Sequence, residues 1–178
     1  MRVELLPSCV PAGSHQFLVS FLIDDQVAID AGTIGLLSDL DRQRAIRHVF
    51  VTHEHLDHIA SLPLLLENTY EPGPGCVEVL ATPEVLESLH RDIFNGRVWP
   101  DFYSLSEGPD RFLRLTPLEP GRTVERAGLR LTPLSVSHAV STVGFIVERD
   151  GVAVAFPSDT GPTEAFWTGI SHFDGLKA

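Results

Sequence analysis

The spacing of apolar and polar residues divides the chain into short elements. In "QFLVSFLIDDQVAIDAG" two apolar runs, Phe17 to Ile23 and Val27 to Asp30, flank Asp24-Asp25. Aspartates favour turns, so the pattern predicts a β-hairpin. Apolar residues recur at helical spacing through "GLLSDLDRQRAI" at 35–46, and "HVFVT" at 48–52 is a β-branched run suited to a strand covered on both faces. Helical spacing returns in "HIASLPLLLENTY" at 58–70, with a break at Pro63. "EPGPG" at 71–75 predicts a turn, "VEVLA" at 77–81 a strand, and "PEVLESLHRDIF" at 83–94 a helix with proline in its first position. Turn formers crowd residues 95–109, and no element is assigned there.

From residue 112 the pattern changes to "FLRLTPL", "LRLTPLSV", "TVGFIVER" and "VAVAFP", four strand-like runs in succession that predict a β meander. A short helix is expected at Thr163 to Thr168. Alternating strands and helices followed by a meander predict an α+β protein in which helices cover sheet. With 178 residues and no linker between two compositions, one domain spanning 1–178 is expected.

Composition narrows the setting. No apolar run approaches the ~20 residues that span a bilayer. "MRVELLPSCVPAG" lacks the features of a signal peptide, so a cytoplasmic protein is expected. A formal charge of −11 disfavours large nucleic acids and favours a small substrate held by local charges. Cys9 and Cys76 have no paired spacing, which argues against a disulfide framework or a cysteine zinc site.

The candidate chemistry sits at 51–62, "VTHEHLDHIASL". In an extended segment residues two apart point the same way, so His53 and His55 can share one ion while Glu54 points elsewhere, solvated or behind the ligands. Asp57 and His58 can reach a second ion. Imidazole and carboxylate suit zinc first, then manganese or iron. A polar loop whose histidines only hydrogen-bond to backbone is the competing reading, and the crowding of three histidines and an aspartate after a buried strand weighs against it.

Further ligands follow from a second pattern. Asp150-Gly151 is a tight-turn signal between the runs at 142–148 and 152–156. Residues just before and just after such a hairpin lie at one end, and these include His138 and Asp159. An aspartate there can bridge two ions with its two oxygens.

His53-Glu54-His55-Leu56-Asp57-His58, His138 and Asp159 resemble the metal motifs of the metallo-β-lactamase-fold hydrolases, and "IDAG" at 29–32 resembles another feature of that family. Within the superfamily, "HEHLDHIASL" and "FPSDTGP" look most like the class II cyclic-nucleotide phosphodiesterases. The resemblance implies an αββα sandwich binding two divalent metal ions. It places His53, His55 and His138 on the first ion and Asp57 and His58 on the second, with Asp159 bridging. It gives Asp57 a catalytic role, orienting the attacking water or passing a proton to the leaving oxygen. It also implies one more histidine beyond the last residue, so a chain lacking its final strand and helix is expected. His172 is a poor substitute. An uncovered sheet edge would follow, through which copies could associate.

Two ions about 3.5–4 Å apart lower the pKa of a shared water and clamp both oxygens of an in-line displacement. With the resemblance to the class II enzymes, this chemistry implies hydrolysis of a small phosphodiester, a 3′,5′-cyclic nucleotide, by metal-activated hydroxide. Another hydrolase of the same fold, acting on a thioester, lactone, β-lactam or tRNA 3′ end, is the enzymatic alternative. A non-catalytic metal-binding module is the alternative outside enzymes. His15, His48 and His90 are read as structural, Arg42 and Arg44 as a solvated helix face, and Ser137, Ser141 and Thr142 as strand-end caps or phosphate contacts. Thr160, Gly161 and Pro162 are read as the turn that fixes Asp159.

Overall fold

The computed structural model describes residues 1–7, 17–71, 75–171, 173 and the backbone of 176–177. Cys9, His15, His172 and the centre of the turn at 71–75 lie outside the described residues. The chain forms two compact units, Met1–Pro117 and Leu118–Ala178.

The first unit is a six-stranded sheet in sequence order: β1 (Val3–Leu5), β2 (Phe21–Ile23), β3 (Val27–Ile29), β4 (His48–Phe50), β5 (Val77–Ala81) and β6 (Leu113–Pro117). β1, β2 and β3 pair antiparallel, whereas β3 through β6 pair parallel. Side chains alternate across the sheet. Leu22, Ala28, Val49, Val51, Val77, Val79, Ala81 and Leu113 join one buried apolar cluster with Ile46, Ile59, Leu62, Leu65, Val85 and Leu89 from the helical connections. Phe50 and Leu80, one residue out of phase, are buried on the opposite face.

The helical connections are shorter than the periodicity predicts. The run at 35–46 becomes a 3-10 turn at Ile34–Leu36 and helix α1 (Leu40–Ala45), because the Asp39 carboxylate caps a new start by accepting from the amides of Asp41 and Arg42. The run at 58–70 divides into α2 (Leu56–Ile59) and α3 (Leu62–Asn68), breaking just ahead of Pro63, which sits in the first turn of α3. Helix α4 (Pro83–Ser88) opens on its proline and ends in a π turn at Leu89–Ile93. The unassigned stretch holds a four-residue helix, α5 (Phe102–Leu105), capped by Asp101.

"FLRLTPL" does not begin the meander. It is β6, parallel to β5 at the edge of the first sheet. Its alternation marks a strand without marking which neighbour it joins.

The second unit is a five-stranded sheet of β7 (Val124–Arg126), β8 (Leu129–Ser135), β9 (Val143–Arg149), β10 (Val152–Phe156) and β11 (Leu176–Lys177), in the order β11-β10-β9-β8-β7. β8 through β10 are the last three runs of the expected meander, β7 is an added strand that pairs antiparallel with β8, and β11 runs parallel to β10. Helix α6 (Glu164–Ile170) buries Phe166 and Ile170 against Ile146 and Ala153. The expected Asp150-Gly151 turn is present, with both residues at positive φ. No helix among the described residues is long and apolar enough to cross a membrane.

The residues read as structural have such partners. His48 Nδ1 lies 2.8 Å from Glu78 Oε2, and the His90 ring stacks on Tyr103 at 4.3 Å. Arg42 pairs with Glu4 at 3.0 Å and Arg44 with Asp41 at 3.2 Å.

Candidate metal centre

In the first unit the candidate residues gather where β3 and β4 end. Ligand sites form at this end of parallel strands because the backbone polar groups of the exits and loops converge there. The Asp30 amide donates to the carbonyl of Phe50 at 2.8 Å, joining the two strand exits. The Ala31 amide donates to the carbonyl of His58, and the Val19 amide donates to that of Asp57 at 2.9 Å. Gly32 permits this closeness, since a Cβ there would strike the carbonyl oxygen of Asp57.

The side chains are ordered by Asp30, which is 2% exposed. Its Oδ1 accepts from the Thr52 amide at 2.8 Å and the Thr52 hydroxyl at 3.0 Å, and its Oδ2 lies 2.7 Å from His58 Nδ1. Burial raises the Asp30 pKa above the ordinary carboxylate value, opposed by its bonds to His58 and Thr52. A carboxylate bound at Nδ1 fixes the imidazole tautomer and leaves Nε2 as the electron-pair donor. His58 Nε2 has Asp57 Oδ2 at 3.5 Å.

His53 is fully buried, and its Nδ1 lies 3.0 Å from the Thr52 hydroxyl. Its Nε2 is 3.1 Å from His55 Nδ1, and its ring centroid is 4.1 Å from that of His58. Donor atoms of His53 and His55, and likewise of His53 and His58, lie within 4.8 Å of one another. Three imidazoles held this close, two of them backed by the Asp30–Thr52 pair, fit a divalent cation. Asp57 stands at the rim with its side chain 45% exposed. Glu54, which separates His53 from His55 in the sequence, is half-buried.

In the second unit His138 and Asp159 lie in the segments before β9 and after β10, as the tight turn predicts. The segments are tied together. The Gly161 amide donates to the carbonyl of Ser137 at 2.7 Å, and the Ser137 amide donates to the Thr160 hydroxyl at 3.3 Å. Thr160 and Gly161 therefore form the turn that holds Asp159, and the Thr142 hydroxyl donates to the carbonyl of Val140.

Spacing identified the histidines but not what organises them. Asp30 was legible only as a strand end and, through "IDAG", as a resemblance. Thr52 looked like the last residue of a β-branched strand. The available signal was an acid at the exit of an apolar strand, where a carboxylate needs a buried partner.

Residues 27–175 match the family described as the beta-lactamase superfamily domain. A 3′,5′-cyclic-nucleotide phosphodiesterase of Aliivibrio fischeri is 28% identical over 124 residues, covering 67% of this chain and 36% of that protein. A ribonuclease Z of Pseudomonas putida is 33% identical over 103 residues, covering 58% of this chain and 30% of that protein. The chain thus spans about a third of the length of these two relatives. The crystal structure of unliganded yeast PDE1 superposes with a TM-score of 0.72 at 16% identity, covering 98% of this chain and 72% of that one. The chain belongs to the beta-lactamase superfamily domain family and has the metallo-β-lactamase fold.

Proposed function

We propose that the chain carries the active site of a metal-dependent phosphodiesterase that hydrolyses 3′,5′-cyclic nucleotides. His53, His55 and His138 would hold one divalent ion and Asp57 and His58 a second, with Asp159 between them. The observation that carries the reading is the close trio His53, His55 and His58, two of them buried, with Asp30 behind His58, in a chain whose relatives include cyclic-nucleotide phosphodiesterases. Zinc is the first choice of ion, and manganese or iron would suit the same donors.

When bound, the ions supply a water ionised near neutral pH and positive charge for the phosphoryl oxygens. The chain's own part is orientation and proton handling. Asp30 fixes His58, Thr52 fixes His53, and the half-exposed Asp57 holds or passes a proton at the leaving oxygen. Water's oxygen joins phosphorus, the bond from phosphorus to the 3′ oxygen breaks, and that oxygen takes the proton to give the 5′-monophosphate. A charge of −11 supports a small substrate over a polyanion.

The ribonuclease Z relative favours one second reading, cleavage at a tRNA 3′ end. Turnover of cyclic AMP, a tRNA precursor, a thioester and a lactone with zinc or manganese separates these. Metal-dependent release of 5′-AMP is expected. Cleavage of the tRNA precursor alone would replace the first reading with the second, and metal uptake with no turnover would favour a binding module.

A further inference from the structure

Six described residues other than glycine hold a left-handed backbone: Asp24, Asp25, Asp30, Ala127, Asp150 and Ser158. Four lie in hairpin turns, Asp24 and Asp25 between β2 and β3, Ala127 between β7 and β8, and Asp150 between β9 and β10. There, positive φ matches the twist of the flanking strands. The other two, Asp30 and Ser158, lie at strand exits.

At Asp30 the conformation has a visible return, because the carboxylate it directs accepts from Thr52 and meets His58. Aspartate also tolerates this region better than most side chains. Ser158 has neither justification. Its φ is +59°, and its hydroxyl oxygen is buried with no hydrogen-bond partner among the described residues. Glycine would remove the first cost and alanine the second. Serine carries both, immediately before Asp159. Costs of this kind persist where function over-determines the backbone.

We propose that Ser158 is a positioning residue for Asp159. Its left-handed backbone aims the Asp159 side chain, and its hydroxyl donates to the carboxylate once a divalent cation is bound, holding it in its coordinating orientation. This rests on the reading of Asp159 as a ligand.

The test is zinc and manganese affinity of the whole chain, measured by competition with a chelating dye, beside the metal-free melting temperature. Ser158→Gly and Ser158→Ala are each expected to weaken the cation about 10- to 100-fold, with no loss of metal-free melting temperature in Ser158→Gly. Ser158→Asn, which tolerates the backbone and keeps a donor, is expected to bind metal like the parent. In an Asp159→Ala background, Ser158→Ala should have no further effect. Parent-like affinity in both Ser158→Gly and Ser158→Ala would overturn the proposal, as would an undiminished effect without Asp159. A parent that binds no metal overturns this and the proposed function together. A parent that binds metal but cleaves no phosphodiester overturns the function alone, since the affinity comparison still decides the role of Ser158.

Discussion

Asp30 and His58 form a buried pair at 2.7 Å across 28 residues of sequence, with side chains 2% and 1% exposed. The pair joins the exit of β3 to the histidine loop after β4, so one contact both locks the fold and aims the His58 ring. Removing one partner of a buried pair leaves the other without its compensating interaction. Asp30→Ala is expected to lower metal-free stability by about 3 kcal/mol and metal affinity about 10- to 100-fold. Urea unfolding and metal titration measure the two effects. A stability loss below about 1 kcal/mol, the scale of one ordinary hydrogen bond, would mean that the pair does not hold the loop.

Zinc should stabilise the chain through the His53 cluster. At 100 times its dissociation constant a ligand specific for the folded state adds about 2.7 kcal/mol. Thermal unfolding should rise with zinc, return to baseline with a chelator, and show no response in His53→Ala. A full zinc response in that variant would place the binding elsewhere.

Gly32→Ala tests the tight approach of the two loops. A Cβ there would meet the Val19 nitrogen at 2.6 Å and oxygen at 2.7 Å as well as the Asp57 carbonyl, all of them backbone atoms. Overpacking of this kind costs about 1–3 kcal/mol, and it would also displace Asp57 and His58. Gly108→Ala, with nothing within 4 Å of the added carbon, should be within about 0.5 kcal/mol of neutral. Equal stability of the two variants by urea unfolding would refute the argument.

The histidine loop and the feet of the β9–β10 hairpin were legible because local patterns specify them. His53, His55 and His58 fall within six positions, and Asp150-Gly151 dictates a two-residue turn. What spacing could not disclose depends on pairing between distant segments. The Asp30–His58 contact exists only because β3 and β4 lie side by side. β6 reads as well for the meander as for the parallel sheet it joins. The short β7 and its Ala127-Gly128 turn were missed because β7 has only three residues and none is fully buried. Asp39 was a readable stop, since an acid inside an amphipathic run is a helix-cap residue as much as a solvated one.

Asp101 gives a pH dependence away from the candidate metal centre. The Ser104 amide at 3.0 Å and its hydroxyl at 2.8 Å donate to the Asp101 carboxylate and hold its pKa below the ordinary value, with His90 adding to the effect. A depressed carboxyl contributes stability above its unfolded pKa, near 3.9, and loses it as pH falls through the folded value. Asp101→Ala should cost about 1 kcal/mol at pH 7 as a lost helix cap. The difference from the parent should shrink as the pH is lowered from about 5 toward 2, judged against that reference pKa. A gap independent of pH in urea titrations would assign the effect to packing instead of charge.

The parallel run from β3 to β6 also governs how fast the chain can be built. Each of its three pairings must close a crossover before any contact rewards it, and β5 finds β6 only across the 31 residues of 82–112. Folding through such distant contacts is slow. The histidine loop is held by contacts that exist only once β3 and β4 have paired, so a cation gripping it should act after that closure, retarding unfolding more than it hastens refolding.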